Sequence, residues 1–182
     1  LSEVIDDGRL VTIGLTTLMS MTVILCVEQA GWITPSPSLI FVGALGLALG
    51  FRSAFVTKWR FLSHITAVFV SLVYVLFVTA FLVTEETWVD RFSIVSDRLI
   101  EWYSVISLGG GSTDTIPLIF GLAVSVCFAS YVTAFLTLYL RSVWSLLPMG
   151  ILLFTNLTYL PERFVPYLVL YFSLWIIIQR FF

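Results

Sequence analysis

The residues able to do chemistry are few and far apart. His64 is the single histidine in 182 residues, and there are two cysteines, Cys26 and Cys127. A serine activated by a histidine must lie within hydrogen-bond reach of it. Ser112, behind the three glycines of GGGS, is the serine whose setting invites that pairing. His64, however, opens the third apolar segment and Ser112 follows that segment's far end, so the two are expected most of a bilayer apart. A metal or haem fares no better, because one histidine and two isolated cysteines cannot complete a usual ligand set. No cofactor and no metal are expected. His64 reads as a helix-end residue near lipid headgroups beside Arg60, with a single axial ligand shared with another chain as the functional alternative. The cysteines lie in apolar runs outside any CxxC spacing and read as small buried hydrophobes.

Transport needs polar or ionisable groups at mid-depth, and the centres of the apolar segments hold no Asp, Glu, Lys or Arg. Asn156, with Thr155 and Thr158, is the amide nearest a segment centre. Pro148 in the same segment should kink the helix and free a backbone carbonyl, so Asn156 could line a small cavity there. An interhelical hydrogen bond is the preferred reading of Asn156. Its NLT match to a glycosylation acceptor falls in the wrong place for one. Glu28 stands near the outer end of the first segment, where a charge can reach water, and a functional role for it is the alternative.

The elements that must position these residues are apolar. Hydrophobic residues make up 59% of the chain and charged residues 11%, against about a quarter charged in a soluble domain. Mean hydropathy is +1.06. This is the composition of an integral membrane protein. A net charge of −2 offers no basic face for nucleic acid, and no run of like charges suggests an interaction tail.

Six apolar segments are expected to be transmembrane helices, at about 10–30, 35–51, 62–84, 116–140, 143–160 and 164–180. The second is short unless it starts near Pro35, a residue tolerated in a first turn. Its Gly43, Gly46 and Gly50, with Ala44 and Ala48, form small-xxx-small spacings for close helix packing, as do Gly121, Ser125, Ala129 and Thr133 in the fourth segment. The sixth is expected to carry Pro166 at its start. Arg9, Arg52, Lys58, Arg60, Arg141 and Arg180 then share one side against Arg91, Arg98 and Arg163 on the other. The richer side should be cytoplasmic, with both ends of the chain inside. Glu3, Asp6 and Asp7 fall on that side, while Glu162 and all the other acids fall outside.

Between the two sets of three segments, residues 85–114 form the long polar interval. Trp88, Phe92, Val95, Leu99, Trp102 and Ile106 recur at steps of four and three, with Asp90, Arg91, Asp97, Arg98 and Glu101 mostly between them. The pattern predicts an extracytoplasmic amphipathic helix. Thr87 and Asp90 form a capping box, Gly109 to Gly111 end the helix, and Asp114 or Thr115 caps the next. The stripe suits either the headgroup zone of the bilayer or packing on the outer ends of neighbouring helices. The fold class is thus all-α and polytopic, with six spans and one interfacial helix.

The stretch RSVWSLLPMGILLFTNLTYLPERFVPYLVLYF, preceded by GGGSTDTIPLIFGLAV, resembles the N-terminal membrane domain of bacterial transglutaminase-like membrane proteins of the TgpA type. The layout of the whole chain is similar, and the specific part runs from about Gly109 to Tyr171. The resemblance implies a bacterial cytoplasmic membrane location and an anchoring domain. It also implies a further span and an extracytoplasmic papain-like core with a Cys, His and Asp triad, which would lie downstream. No triad residue carries over, because the cysteines here are in apolar segments and His64 is on the cytoplasmic side. The expectation is therefore a non-catalytic membrane anchor. The alternatives are an accessory subunit packing against other membrane subunits and, third, a small-solute transporter. The chain opens on Leu1 without a signal-peptide pattern, which suggests a fragment of a longer protein.

Overall fold

The computed structural model describes residues 7–33, 37–159 and 161–181. These residues form helices and no strand. The helices are α1 (Asp7–Gln29), α2 (Leu39–Phe55), α3 (Arg60–Ala80), α4 (Trp88–Ser107), α5 (Thr115–Leu140), α6 (Leu147–Tyr159) and α7 (Pro161–Ile178). A 3-10 turn, Val143–Leu146, precedes α6 and another, Gln179–Phe181, follows α7.

Four stretches are long and apolar enough to cross a membrane: Gly8–Gln29, Arg60–Ala80, Thr115–Leu140 and Phe164–Phe181. The other two apolar helices are shorter. At 17 residues, α2 reaches about 26 Å, less than the roughly 30 Å of a hydrocarbon core. The expected start near Pro35 lies outside the described residues, as do Thr34 and Ser36. The helix begins at Leu39, after an extended Ser38, and runs on through Arg52 to Phe55.

Two further boundaries differ from the sequence reading. Pro148 does not kink a long helix: it is the second residue of α6, where its missing N–H leaves no hydrogen bond unmade. The 3-10 turn runs directly into α6 through Leu147, whose backbone is α-helical. Pro166 lies inside α7, which begins five residues earlier at Pro161.

The centre of the bundle is the pairing of α2 with α5, flanked by α1. Met19, Val23 and Ile24 of α1 meet Leu39 and Val42 of α2 and Val126 and Cys127 of α5, and the cluster extends to Met149, Leu153 and Phe164. Gly46 and Gly50 allow this approach. A Cβ at Gly46 would stand 2.9 Å from Ser130 Cβ and overlap the Cys127 carbonyl, and one at Gly50 would stand 2.8 Å from Ala134 Cβ. The receiving face of α5 is therefore Cys127, Ser130 and Ala134. In the Gly121 to Thr133 row, Gly121 and Ser125 are exposed. The outer members are α3 and α7: 17% and 22% of their apolar windows are buried, against 50% for α1.

Candidate functional site

Asn156 is 1% exposed. Its Nδ2 donates to the Cys26 carbonyl oxygen at 3.1 Å and contacts Cys26 Sγ at 3.0 Å, while its Oδ1 accepts from Trp32 Nε1 at 2.9 Å. One amide thus ties α6 to the end of α1 and to the loop that follows. Tyr167 adds a second tie there, its hydroxyl donating to Gln29 Oε1 at 2.7 Å. The Asn156 bonds join α6 to α1 and to its following loop, and Asn156 lies well away from Pro148. The two residues are eight positions apart, about 12 Å along the helix. A cavity of about 140 Å³ does open on α6, but Trp144, Gly150, Phe154, Tyr171 and Trp175 are among its lining residues, and Pro148 and Asn156 are not.

The carbonyl reached by a neighbour is that of Leu146, which accepts from the Tyr171 hydroxyl at 2.7 Å. Gly150 makes room for that hydroxyl, since a Cβ there would stand 2.9 Å from it. Glu28 lies in the last turn of α1, half-buried, with Oε2 enclosed and without a hydrogen bond among the described residues.

His64 does not simply end a helix among headgroups. Its Nδ1 shares a hydrogen bond with the Tyr131 hydroxyl, and its ring stands edge-on to Phe135 at 4.8 Å. One turn earlier, the Arg60 guanidinium lies 4.5 Å from the centre of the Tyr139 ring, a cation–π contact. Tyr131, Phe135 and Tyr139 form a stacked ladder on α5. The Ser53 and Ser63 hydroxyls meet at 3.0 Å beside it, joining α2 to α3. The sequence reading missed this ladder. Its signal was aromatic residues at i, i+4 and i+8 on one helix, matching Arg60 and His64 at i and i+4 on another.

At the other end, α4 starts as a capped helix: the Asp90 N–H donates to Thr87 Oγ1 at 3.2 Å. Gly109 leaves it with φ +78°, and Asp114 caps α5 by accepting from the Ile116 N–H at 3.0 Å. Val95 is fully buried against Ala80, Ile116 and Ile119, with Phe92 and Leu99 packed around it. Trp88 stacks on Phe77 of α3 at 4.8 Å. Ile106 is exposed and Trp102 half-buried. A flank that the spacing did not single out is also apolar and open, with Val89 77%, Ile100 67% and Tyr103 71% exposed.

Ser112 accepts from the Asp114 N–H at 3.2 Å. It borders a polar groove with Arg98, Glu101 and Asp114, in which Arg98 and Asp114 pair at 3.4 Å. Ser112 and His64 thus sit at opposite ends of α3. Cys26 and Cys127 are buried thiols, and no group of three metal-ligating side chains occurs among the described residues. No family model, curated protein or solved structure matches this chain.

Proposed function

We propose that these residues form a six-span membrane anchor, resembling that of bacterial transglutaminase-like membrane proteins, with α4 lying in the outer membrane surface. The observation that carries the membrane part is α3. Phe61, Ile65, Phe69, Leu72 and Val73 stand open along it, Phe61 and Phe69 at 78% and 67% exposure. A face of that length left in water would be an aggregation surface, whereas lipid tails cover it without cost. The charges support the same reading. Arg9, Arg52, Arg60, Arg141 and Arg180 lie at helix starts and ends, with Lys58 in the α2–α3 turn, on one end of the bundle, and Arg91 and Arg98 lie on α4 at the other. That asymmetry favours the first end as cytoplasmic.

With α4, the buried Val95 stripe and the open Val89–Ile100–Tyr103 flank support both sequence readings at once. The helix leans on α3 and α5 with one face and offers the adjoining flank to headgroups. The two shorter helices, α2 and α6, span by virtue of their place inside the bundle, where tilt and local thinning absorb the mismatch. The transglutaminase-like part rests on the resemblance of residues 109–171.

Topology mapping tests the anchor. Single cysteines introduced at Lys58 and Ser142 should react with an impermeant maleimide only from the cytoplasmic side, and cysteines at Ser96 and Thr113 only from outside. Both pairs reacting from one side would sink the six-span layout. Intact mass of the native polypeptide tests the resemblance, which expects a chain well above 20.5 kDa with further Cys and His peptides. A second reading, an accessory subunit of a larger assembly, draws on the same open face of α3, which fits a partner helix as well as lipid. Co-purification of a stoichiometric partner in mild detergent would favour it.

A further inference from the structure

At the arginine-rich end of the bundle, the start of α1, the ends of α2 and α5 and the turn after α7 enclose a half-open cavity of about 110 Å³. That is well above the roughly 10–15 Å³ one water needs, so a group of several heavy atoms fits. Arg9 and Arg141 both line it, together with Thr12, Thr137, Phe55 and Phe181. We propose that this cavity binds the phosphate of an anionic phospholipid headgroup from the adjoining leaflet.

Three observations point the same way. Arg9 is the third residue of α1, at the positive end of that helix, where a cation is electrostatically disfavoured. Helix stability therefore does not account for it, and an anion in the cavity would meet both the guanidinium and the helix end. Arg141 has φ +47°, a left-handed conformation that glycine adopts at lower cost. The chain keeps an arginine at a position where its backbone is strained, and that arginine lines the cavity. Finally, Arg9 and Arg141 put two cations around one small space, a repulsion that a bound anion would offset.

Two guanidiniums supply forked donors suited to phosphate oxygens. Phe55 and Phe181, 53% and 41% exposed, make an apolar rim for the glycerol and the first acyl carbons. Basic cavities between membrane helices on the cytoplasmic side suit anionic headgroups. A free phosphate would share the oxyanion contacts and have no use for the rim.

The test uses the purified chain in an uncharged detergent, titrated with short-chain phosphatidylglycerol, the matching phosphatidylcholine, or inorganic phosphate. Native mass spectrometry and thermal unfolding are the readouts. Phosphatidylglycerol should bind and raise Tm, and the other two should not. Arg9→Gln and Arg141→Gln should each weaken binding about tenfold or more, the loss expected for a hydrogen bond to a charged group. Arg141→Gly relieves the backbone, so it should fold at least as well as the parent and still lose the lipid. Arg180→Gln, at the same end but outside the cavity, should bind normally.

Equal binding by Arg141→Gly and the parent would overturn the proposal, as would equal binding of phosphatidylcholine. A full response to inorganic phosphate would reassign the cavity to free phosphate. The proposal rests on the membrane reading, and release of the protein from membranes by alkaline carbonate would defeat that reading. Failure to bind lipid in protein that resists carbonate defeats this proposal alone.

Discussion

Replacing Gly46 or Gly50 by alanine sets two effects against each other, and the structure says which wins. Alanine in a helix interior is favoured over glycine by about 1 kcal/mol. Against that, the new Cβ at Gly46 would overlap the Cys127 carbonyl, with Ser130 Cβ at 2.9 Å; at Gly50 it would overlap the Tyr131 carbonyl, with Ala134 Cβ at 2.8 Å. A carbonyl of a facing helix cannot rotate away, so α2 must back off by about 0.5–1 Å, which forfeits a quarter to a half of each dispersion contact along the seam. Overpacking of this kind costs about 1–3 kcal/mol, and a backbone obstacle argues for the upper end. The net loss is about 2 kcal/mol for each variant, or roughly 4–8 °C in Tm for a chain of this size. Cys26 and Cys127 are both buried, so the onset of reaction with a thiol-specific dye on heating reports unfolding directly. Gly14→Ala and Gly121→Ala are the controls, since nothing lies within 4 Å of either Cβ, and both should be neutral or slightly stabilising. If Gly46→Ala and Gly50→Ala unfold at the same temperature as these controls, α2 and α5 do not meet as described.

The remaining predictions concern polar ties. Tyr171→Phe leaves the Leu146 carbonyl without its partner and should cost about 1–2 kcal/mol. It should also rescue Gly150→Ala, whose Cβ meets that hydroxyl at 2.9 Å, so the double variant should be more stable than additivity allows in a thermal-unfolding cycle; strict additivity would contradict the contact. Asn156→Leu should cost about 1 kcal/mol and speed labelling of Cys26 relative to Cys127; equal labelling of both would count against the tie to α1. Thr87→Ala should cost about 1 kcal/mol of local helix stability, seen as faster amide exchange in the first turn of α4 alone; unchanged exchange there would refute the cap.

Much of the architecture was legible because it rests on composition and local chemistry. Apolar runs located the long helices, and the Thr87 cap, the Gly109 exit and the Asp114 cap were readable because each depends on residues a few positions apart. What escaped was set by partners distant in sequence. The choice between Pro148 as a kink and as a first-turn residue depends on where the 3-10 turn after α5 hands over to α6. The row of small residues on α5 was legible as a motif, but which row faces α2 depends on helix rotation, and Cys127, Ser130 and Ala134 took that place. Asn156 stood out as a polar residue in an apolar segment, while its partners, Cys26 and Trp32, lie more than 120 residues away.

The placement of His64 and Arg60 bears on how α3 is held. At its basic end the helix is fastened by three unlike contacts: His64 to Tyr131, Arg60 over Tyr139, and Ser63 to Ser53. At its far end it is fastened by Phe77 stacked on Trp88 and by Ala80 against Val95. Between them, Ala67, Ser71 and Val75 border an apolar cavity of about 90 Å³ against Val124, Cys127 and Phe128. Ala67 and Val75 are nevertheless buried, Val75 in the main core, so α3 opens first at whichever end is held more weakly, because local opening follows contact density. The basic-end pins are polar and specific, and all three draw on α2 or α5, the central pair. At the outer end the Phe77–Trp88 stack runs through α4, a half-exposed helix, and Ala80 shares its cluster with Ile116 and Ile119 at the start of α5. Loosening of α3 should therefore begin at the α4 end, so that whatever moves the surface helix also moves the outer half of α3, while the arginine-rich end stays fixed to the core.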